Sequence, residues 1–246
     1  YLIVLIIILY VLYPNIAKER SFPKKAPTVA VVTYAFNNFQ PVKRTIEALL
    51  KLEYPIPFKV YVITDGTCIF LKNLKGVKQI VIDKKYFKKS KNTKSIVMNE
   101  GLKYIKDENI FCVDGDTIVD SKALKRMTGF LEENKVVAVN GILVPENRKS
   151  FWEKVQVIEY SLNWGIYQRI LSAMDSINIP IGAMFLMKKK VFDQLGGYST
   201  NNFVEDKELG YRIIKAGYKI RCCEVAYGFT ETPKTLKGWY KQRKRW

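Results

Sequence analysis

Phe111-Cys112-Val113-Asp114-Gly115-Asp116-Thr117 is an apolar run that ends in two carboxylates separated by one glycine. Its form is that of a core strand whose C-terminal end opens on solvent, and α/β sheets bind ligands in the crevice beyond such ends. Side chains two apart in an extended segment share a face, so Asp114 and Asp116 can act on one ligand. An all-oxygen pair suits Mg2+ or Mn2+, hard ions that keep waters and bridge to substrate phosphates. Acidic pairs also sit in plain solvated turns, so the surroundings must decide.

Working outward, short β-rich runs alternate with amphipathic stretches. Strands are predicted at 28–34, 58–64, 78–82 and 110–113, helices at 41–52 and 95–106, and a basic loop at 84–91. Beyond Asp116, a helix at 122–134 leads to a strand at 136–141. This alternation predicts an α/β fold, a single Rossmann-like mixed sheet flanked by helices. From residue 142 the regular alternation stops. Residues 151–171 read as a long aromatic-rich helix, 179–187 are apolar and open on Pro180 and Gly182, and Gly196-Gly197 ends a helix carrying Phe192 and Leu195. With no internal repeat and no low-complexity linker, 28–246 is expected to be one two-lobed domain with halves at 28–141 and 142–246.

The chain has 246 residues, 48% of them apolar, which is ample for a packed core. Its 41 Lys and Arg against 23 Asp and Glu give a formal net charge of +18, a field that calls for anionic partners. Nucleic acid, an anionic membrane leaflet and phosphate-bearing small molecules all satisfy that field. The first is disfavoured, because no zinc-finger spacing or RNP-like aromatic motif occurs and the basic residues are spread along the chain. Four cysteines without a CxxC pair and the absence of histidine exclude the usual Cys/His zinc sites and predict reduced, mostly buried thiols.

Residues 1–13 (YLIVLIIILYVLY) carry no charge and precede Pro14, Lys18, Arg20, Lys24 and Lys25. They read as the end of a transmembrane helix followed by a basic juxtamembrane linker at 14–27. The basic flank puts the remainder on the cytoplasmic side of a membrane whose lipids it contacts. A buried strand or a signal-peptide core would show a similar run, although no small-residue cleavage site follows.

A second acidic cluster, Glu205-Asp206-Lys207-Glu208, opens an amphipathic helix. Carboxylates there complement the helix dipole, and one of them also has the chemistry of a general base toward a hydroxyl. At the end of the chain, Gln242, Arg245 and Trp246 fall at i, i+3 and i+4 and share a helix face. Arginine offers a planar fork to phosphate oxygens, and tryptophan offers an apolar face to a sugar ring. A basic amphipathic helix lying on a membrane has the same composition. Asp65 ends an apolar strand where a base or ribose can be hydrogen-bonded, though an Asp-Gly turn accounts for it equally. Lys94, at the start of a helix, is within reach of a diphosphate.

These elements in this order resemble the membrane-bound branch of the family 2 glycosyltransferases, with its D, DxD, ED and QxxRW pattern. The branch includes cellulose, chitin, hyaluronan and poly-N-acetylglucosamine synthases, and the resemblance runs from about Val29 to Trp246. Residues 231–238, Gly196-Gly197-Tyr198 and the position of Glu205-Asp206 look most like the poly-N-acetylglucosamine type. The resemblance implies a GT-A fold, a UDP-sugar donor, a divalent metal and inversion at the anomeric carbon. It assigns Asp206 as catalytic base, Asp116 as metal ligand, and Asp65, Lys94, Asp114, Gln242 and Arg245 to the donor. Glu205, Gly182 and Trp246 fall on the acceptor side, where a saccharide or a lipid-linked acceptor would bind. Non-processive lipid glycosyltransferases of the ceramide glucosyltransferase kind share these signatures. Two departures stand out: 33–38 lacks the carboxylate of the Pro-x-Tyr-Asn-Glu type segment, and Thr64 replaces the first Asp of an Asp-Asp-Gly pair. Both bear on nucleotide-base selectivity.

Overall fold

The computed structural model describes residues 20–35, 40–66, 71, 74–86, 93–202 and 204–245, with their side chains except at 40, 41, 84 and 245. The expected membrane segment at 1–13, residues 36–38 of the departing segment, Cys68 and Trp246 lie outside the described residues. No helix among the described residues is long and apolar enough to cross a membrane.

Four parallel strands form the first half of the sheet: β1 (Val29–Ala35), β2 (Lys59–Thr64), β3 (Val77–Val81) and β4 (Asn109–Val113). Then come β5 (Thr117–Val119), β6 (Val136–Pro145), β7 (Met184–Lys188) and β8 (Lys219–Thr230), joining one eight-stranded mixed sheet in the order β3-β2-β1-β4-β7-β6-β8-β5. β7 is antiparallel to both β4 and β6, β8 is parallel to β6, and β5 is antiparallel to β8. Because β1 has β2 on one side and β4 on the other, the strand order reverses at β1/β4. The crevice beyond their C-terminal ends is the switch point where such sheets bind ligands.

The helices are α1 (Gln40–Leu49), α2 (Thr93–Leu102), α3 (Ala123–Thr128), α4 (Phe151–Tyr160), α5 (Gln168–Ala173), α6 (Lys189–Gln194), α7 (Glu205–Lys215) and α8 (Leu236–Arg245). A π-helical stretch, Ser161–Tyr167, joins α4 to α5 into one continuous rod. Strand parity sorts the helices between the two faces. Odd-numbered residues of β1 and β4, such as Val29, Val31, Phe111 and Val113, pack with Val42, Ile46 and Leu49 of α1 and Leu124 and Met127 of α3. Even-numbered Ala30, Val32, Ile110 and Cys112 pack with Val97, Met98 and Leu102 of α2, Phe192 of α6, and Leu209 and Ile213 of α7. That parity puts Tyr34 and Asp114 on the face covered by α2 and α7.

Several expectations are corrected. The predicted helix at 122–134 breaks after Thr128 into a 3-10 turn, Gly129–Glu132, and the strand predicted at 136–141 runs on to Pro145. The second half contributes β7 and also β8, which no predicted strand covers and which is the longest strand of the sheet at 12 residues. Finally, Asp114 and Asp116 do not continue an extended strand. Asp114 closes β4 with its N–H on Ala183 O at 3.1 Å, and Thr117 N donates to Asp114 O at 3.1 Å, turning the chain through Gly115-Asp116.

Candidate active site

The turn after β4 sits hard against β1. A Cβ on Gly115 would lie 2.6 Å from the Tyr34 carbonyl oxygen, so only glycine allows this approach, and Thr45 of α1 fixes the turn by donating to Gly115 O at 3.0 Å. Asp114 is half-buried under the α2 side, while Asp116 is exposed at the tip of the turn.

Lys94, in the first turn of α2, joins two parts of the chain. Its Nζ lies 3.3 Å from Asp114 Oδ1 and 3.1 Å from Glu205 Oε1, and 4.6 Å above the Tyr34 ring. Burial disfavours its ammonium, but Asp114, Tyr34 and Glu205 together more than offset that, so Lys94 titrates well above an ordinary lysine and stays charged. The Tyr34 phenol is pushed far up by burial and by Asp114, so it stays neutral beneath the ammonium.

The carboxylates of α7 reach this spot because the helix backs closely onto residues 178–182. A Cβ on Gly210 would overlap Asn178 O at 2.0 Å, and one on Gly182 would meet Asp206 Oδ2 at 3.0 Å. Gly182 N donates to Asp206 Oδ2 at 3.2 Å and Lys207 N donates to Oδ1 at 2.8 Å. Burial, followed by the Glu205 charge, raises Asp206 above the usual aspartate range, while the Lys207 N–H, Lys94 and the Gly182 N–H hold it down. A carboxyl so balanced has the chemistry of a proton acceptor.

Beneath the carboxylates, the loop after α6 is clamped from both sides. Asn99 of α2 donates to Tyr198 O at 2.8 Å and accepts from Tyr198 N at 2.9 Å, and Arg212 of α7 donates to Gly197 O at 2.7 Å while paired with Glu208. Tyr198 is buried and titrates well above its ordinary value through burial and the neighbouring Cys112, with Glu205 and Asp206 adding to the effect. Burial pushes the Cys112 thiol up to about 12, so it is an inert neighbour. Cys222 and Cys223 are likewise buried.

Asp65 follows β2 and is 8% exposed. Thr64 closes its turn: its hydroxyl donates to Gly66 O at 2.7 Å and accepts from Gln79 Nε2 at 2.9 Å. α8 lies along α4. Glu159 accepts from Arg243 at 2.8 and 2.6 Å and from Trp239 Nε1 at 3.3 Å, and Trp239 stacks on Trp152. Gln242 Oε1 accepts from Arg243 at 2.6 Å, and Arg245 lies in α8 with its side chain outside the description. Burial raises the Tyr160 phenol above its ordinary value, with the charges of Arg243, Glu159 and Asp116 acting on it in lesser measure.

The structure thus gathers Lys94, Asp114, Gly182, Glu205 and Asp206 directly, with Asp116 at the rim. Sequence reasoning missed Tyr34, Tyr160, Tyr198 and Arg243. Tyr198 had a signal in the Gly196-Gly197-Tyr198 stretch, and Arg243 had one inside the QxxRW pattern. Among the described residues no group of three or more His, Cys, Asp or Glu is arranged to hold a metal. The oxygen donors at 114 and 116 fit a hard ion bound by one or two carboxylates and completed by substrate oxygens.

A mixed sheet with an acidic turn at its switch point and a second carboxylate pair facing it is the architecture of a GT-A glycosyltransferase. Two solved enzymes share the fold. One is a mannosyltransferase from Pyrobaculum calidifontis in complex with GDP-Man and Mn2+ (TM-score 0.74, 15% identity, 98% of this chain and 68% of that one). The other is GalNAc-T7 with UDP, GalNAc and Mn2+ (TM-score 0.63, 13% identity, 91% and 49%). The chain belongs to the glycosyltransferase-like family 2, whose model matches residues 26–246. It is 28% identical over 238 residues to the poly-beta-1,6-N-acetyl-D-glucosamine synthase of Staphylococcus epidermidis, covering 92% of this chain and 55% of that protein. The Staphylococcus aureus (strain COL) synthase is 28% identical over 217 residues, covering 86% and 52%. The chain therefore spans about half the length of these relatives.

Proposed function

We propose that this glycosyltransferase moves a sugar, best N-acetylglucosamine, from a UDP-sugar to a hydroxyl of a growing polysaccharide at a membrane, with inversion and with a divalent metal. The observation that carries the reading is the Lys94 bridge. One ammonium holds Asp114 of the acidic turn and Glu205 beside Asp206, so the donor side and the acceptor side share a single cleft.

In this mechanism the acceptor hydroxyl attacks the anomeric carbon, the new C–O bond forms as the bond to the diphosphate breaks, and UDP leaves with the electron pair. Asp206 takes the hydroxyl proton. Its raised pKa makes it a better base than an exposed aspartate, and the Gly182 N–H keeps the receiving oxygen aimed. Asp65 and Asp114 hold the nucleoside, and Lys94, Gln242 and Arg245 supply positive charge and donors to the diphosphate side, with Trp246 as the platform for the terminal acceptor sugar. Asp116 would hold a divalent metal, which would supply positive charge toward the diphosphate. The poly-N-acetylglucosamine relatives support the choice of sugar and of a saccharide acceptor. The uncharged run at 1–13 and its basic flank support a membrane setting with the domain on the cytoplasmic side.

Asp206→Asn tests the reading. Calorimetry with UDP-N-acetylglucosamine and Mn2+ should show donor binding unchanged, while transfer falls by roughly 10²- to 10⁴-fold, the usual worth of a general base. Retention of most activity would remove Asp206 from the mechanism.

A further inference from the structure

α2 and α7 carry the two sides of the cleft, Lys94 on one and Glu205-Asp206 on the other, and two ties join them. The upper tie is the contact of Lys94 with Glu205 at 3.1 Å. The lower tie runs through the Gly196-Gly197-Tyr198 turn. From α2, Asn99 donates to Tyr198 O at 2.8 Å and accepts from Tyr198 N at 2.9 Å. From α7, the Arg212 guanidinium donates to Leu195 O and, at 2.7 Å, to Gly197 O, while Glu208 accepts from the same guanidinium. A helix rises 1.5 Å per residue, so the ties stand about 7.5 Å apart along α2 and about 10.5 Å apart along α7. Two ties at that spacing fix the tilt of one helix on the other, where a single tie would leave a pivot.

Ending α6 does not call for this arrangement. Gly197 N already closes that helix on Phe192 O at 3.0 Å, and Gly196 N closes on Asp193 O at 2.9 Å. Asn99 and Arg212 instead take the polar groups of the turn that the helix leaves over, and both come from helices that carry cleft residues. The turn is shaped to admit them. Gly196 and Gly197 have φ of 81° and 72°, and a Cβ on Gly197 would sit 2.7 Å from Asn99 Oδ1. Buried Tyr198 anchors the turn in the core, edge-on to Phe192 at 5.1 Å.

We infer that Asn99 and Arg212 are positioning residues: by gripping the Gly196-Gly197-Tyr198 turn from opposite helices, they hold Asp206 in register with Lys94. The grip matters most when the diphosphate of the donor draws on Lys94, because the upper tie then weakens and the lower one keeps α7 in place. The inference rests on the proposed transfer reaction with Asp206 as base.

The groups around Asp206 give a readout that a loss of stability alone would not move. Glu205 and Lys207 share its helix and move with it. The Gly182 N–H, from the segment that α7 backs onto, holds one oxygen, and the neutral phenol of Tyr198 belongs to the gripped turn. Lys94 acts on Asp206 from α2, and its charge lowers the carboxyl. Separating the helices removes that pull, so Asp206 ionises at higher pH and the acid limb of the rate profile moves up.

The test compares Asn99→Ala, Arg212→Lys and, as control, Glu100→Gln, which breaks a surface pair with Lys103. UDP release over a pH series, donor calorimetry and urea melts are read on each. Arg212→Lys keeps a cation beside Glu208 but lacks the planar fork that serves two carbonyls, so it carries the test even where Asn99→Ala folds poorly. Both variants should lower turnover per folded molecule by roughly ten- to a hundredfold, with the acid limb at higher pH and donor affinity nearly unchanged. The control should match the original chain. Turnover per folded molecule that is unchanged, or reduced with the acid limb in place, would overturn the inference and leave the base assignment standing. Asp206→Asn, run alongside, separates the two: if it retains most activity, the base assignment falls and the inference with it.

Discussion

Replacing Gly115 with alanine brings a methyl group to 2.6 Å from the Tyr34 carbonyl oxygen, with the Val42 side chain at 3.4 Å on another side. The atom it meets is backbone in a central strand, so no side chain can swing away. Reaching an ordinary contact distance requires the acidic turn and the end of β1 to part by roughly 1 Å. Overpacking of this kind costs about 1 to 3 kcal/mol, which in a chain of this size lowers the melting temperature by roughly 2 to 12 °C. The same displacement moves Asp114 and Asp116 relative to Tyr34 and Lys94, and a misplacement of about 1 Å in a reacting assembly can lower turnover on the order of a hundredfold. Differential scanning calorimetry and donor-dependent UDP release measure the two effects separately. Gly165→Ala is the control, because nothing lies within 4 Å of its added methyl, and in a helical segment it should be neutral or stabilising by up to about 1 kcal/mol. A Gly115→Ala protein with unchanged melting and unchanged turnover would refute the claim that the tight turn positions the carboxylates.

Other outcomes follow from the same geometry. The Glu205 charge raises Asp206, so Glu205→Gln should let Asp206 ionise at lower pH and move the acid limb of the rate profile down; Lys94 lowers Asp206, so Lys94→Met should move that limb up, with weaker donor binding. A pH–rate series on both variants checks the opposite signs, and two shifts in the same direction would contradict the assignment. Arg243→Ala removes two bonds to Glu159, a carboxylate left about two-fifths exposed, and should destabilise the protein by only about 1 kcal/mol in urea melts. Breaking the better-buried Arg169–Glu224 pair with Arg169→Met should cost about 3 kcal/mol in the same melts, because it strands the Glu224 carboxylate on β8.

The parallel half of the sheet was legible because β1, β2 and β4 are buried on both faces and read as unbroken apolar runs. β8 escaped notice for the opposite reason. Its Arg221 and Glu224 point to ion-pair partners, Glu133 and Asp175 for the first and Arg169 for the second, which breaks up the apolar pattern, and its register with β6 is irregular. β5 has only three residues and no periodicity to detect. At the site, carboxylates and glycines at strand and helix ends announced themselves. The Lys94 bridge drew on strand parity, since Asp114 shares the even-numbered face of β4 that packs against α2. Tyr160 could not have been found locally, because it is buried on the inward side of a helix whose Phe151 and Ile158 are exposed.

We propose sugar transfer from a UDP-sugar in the cleft that Lys94 spans. Release of UDP by the vesicle-reconstituted protein, measured across a panel of UDP-sugars with Mn2+ or Mg2+ and with chelator, tests it most directly. Chelator-sensitive release with UDP-N-acetylglucosamine that disappears in Asp206→Asn is the expected result. Absence of turnover with every UDP-sugar in the presence of metal and a saccharide acceptor, or turnover indifferent to Asp206→Asn, would contradict it.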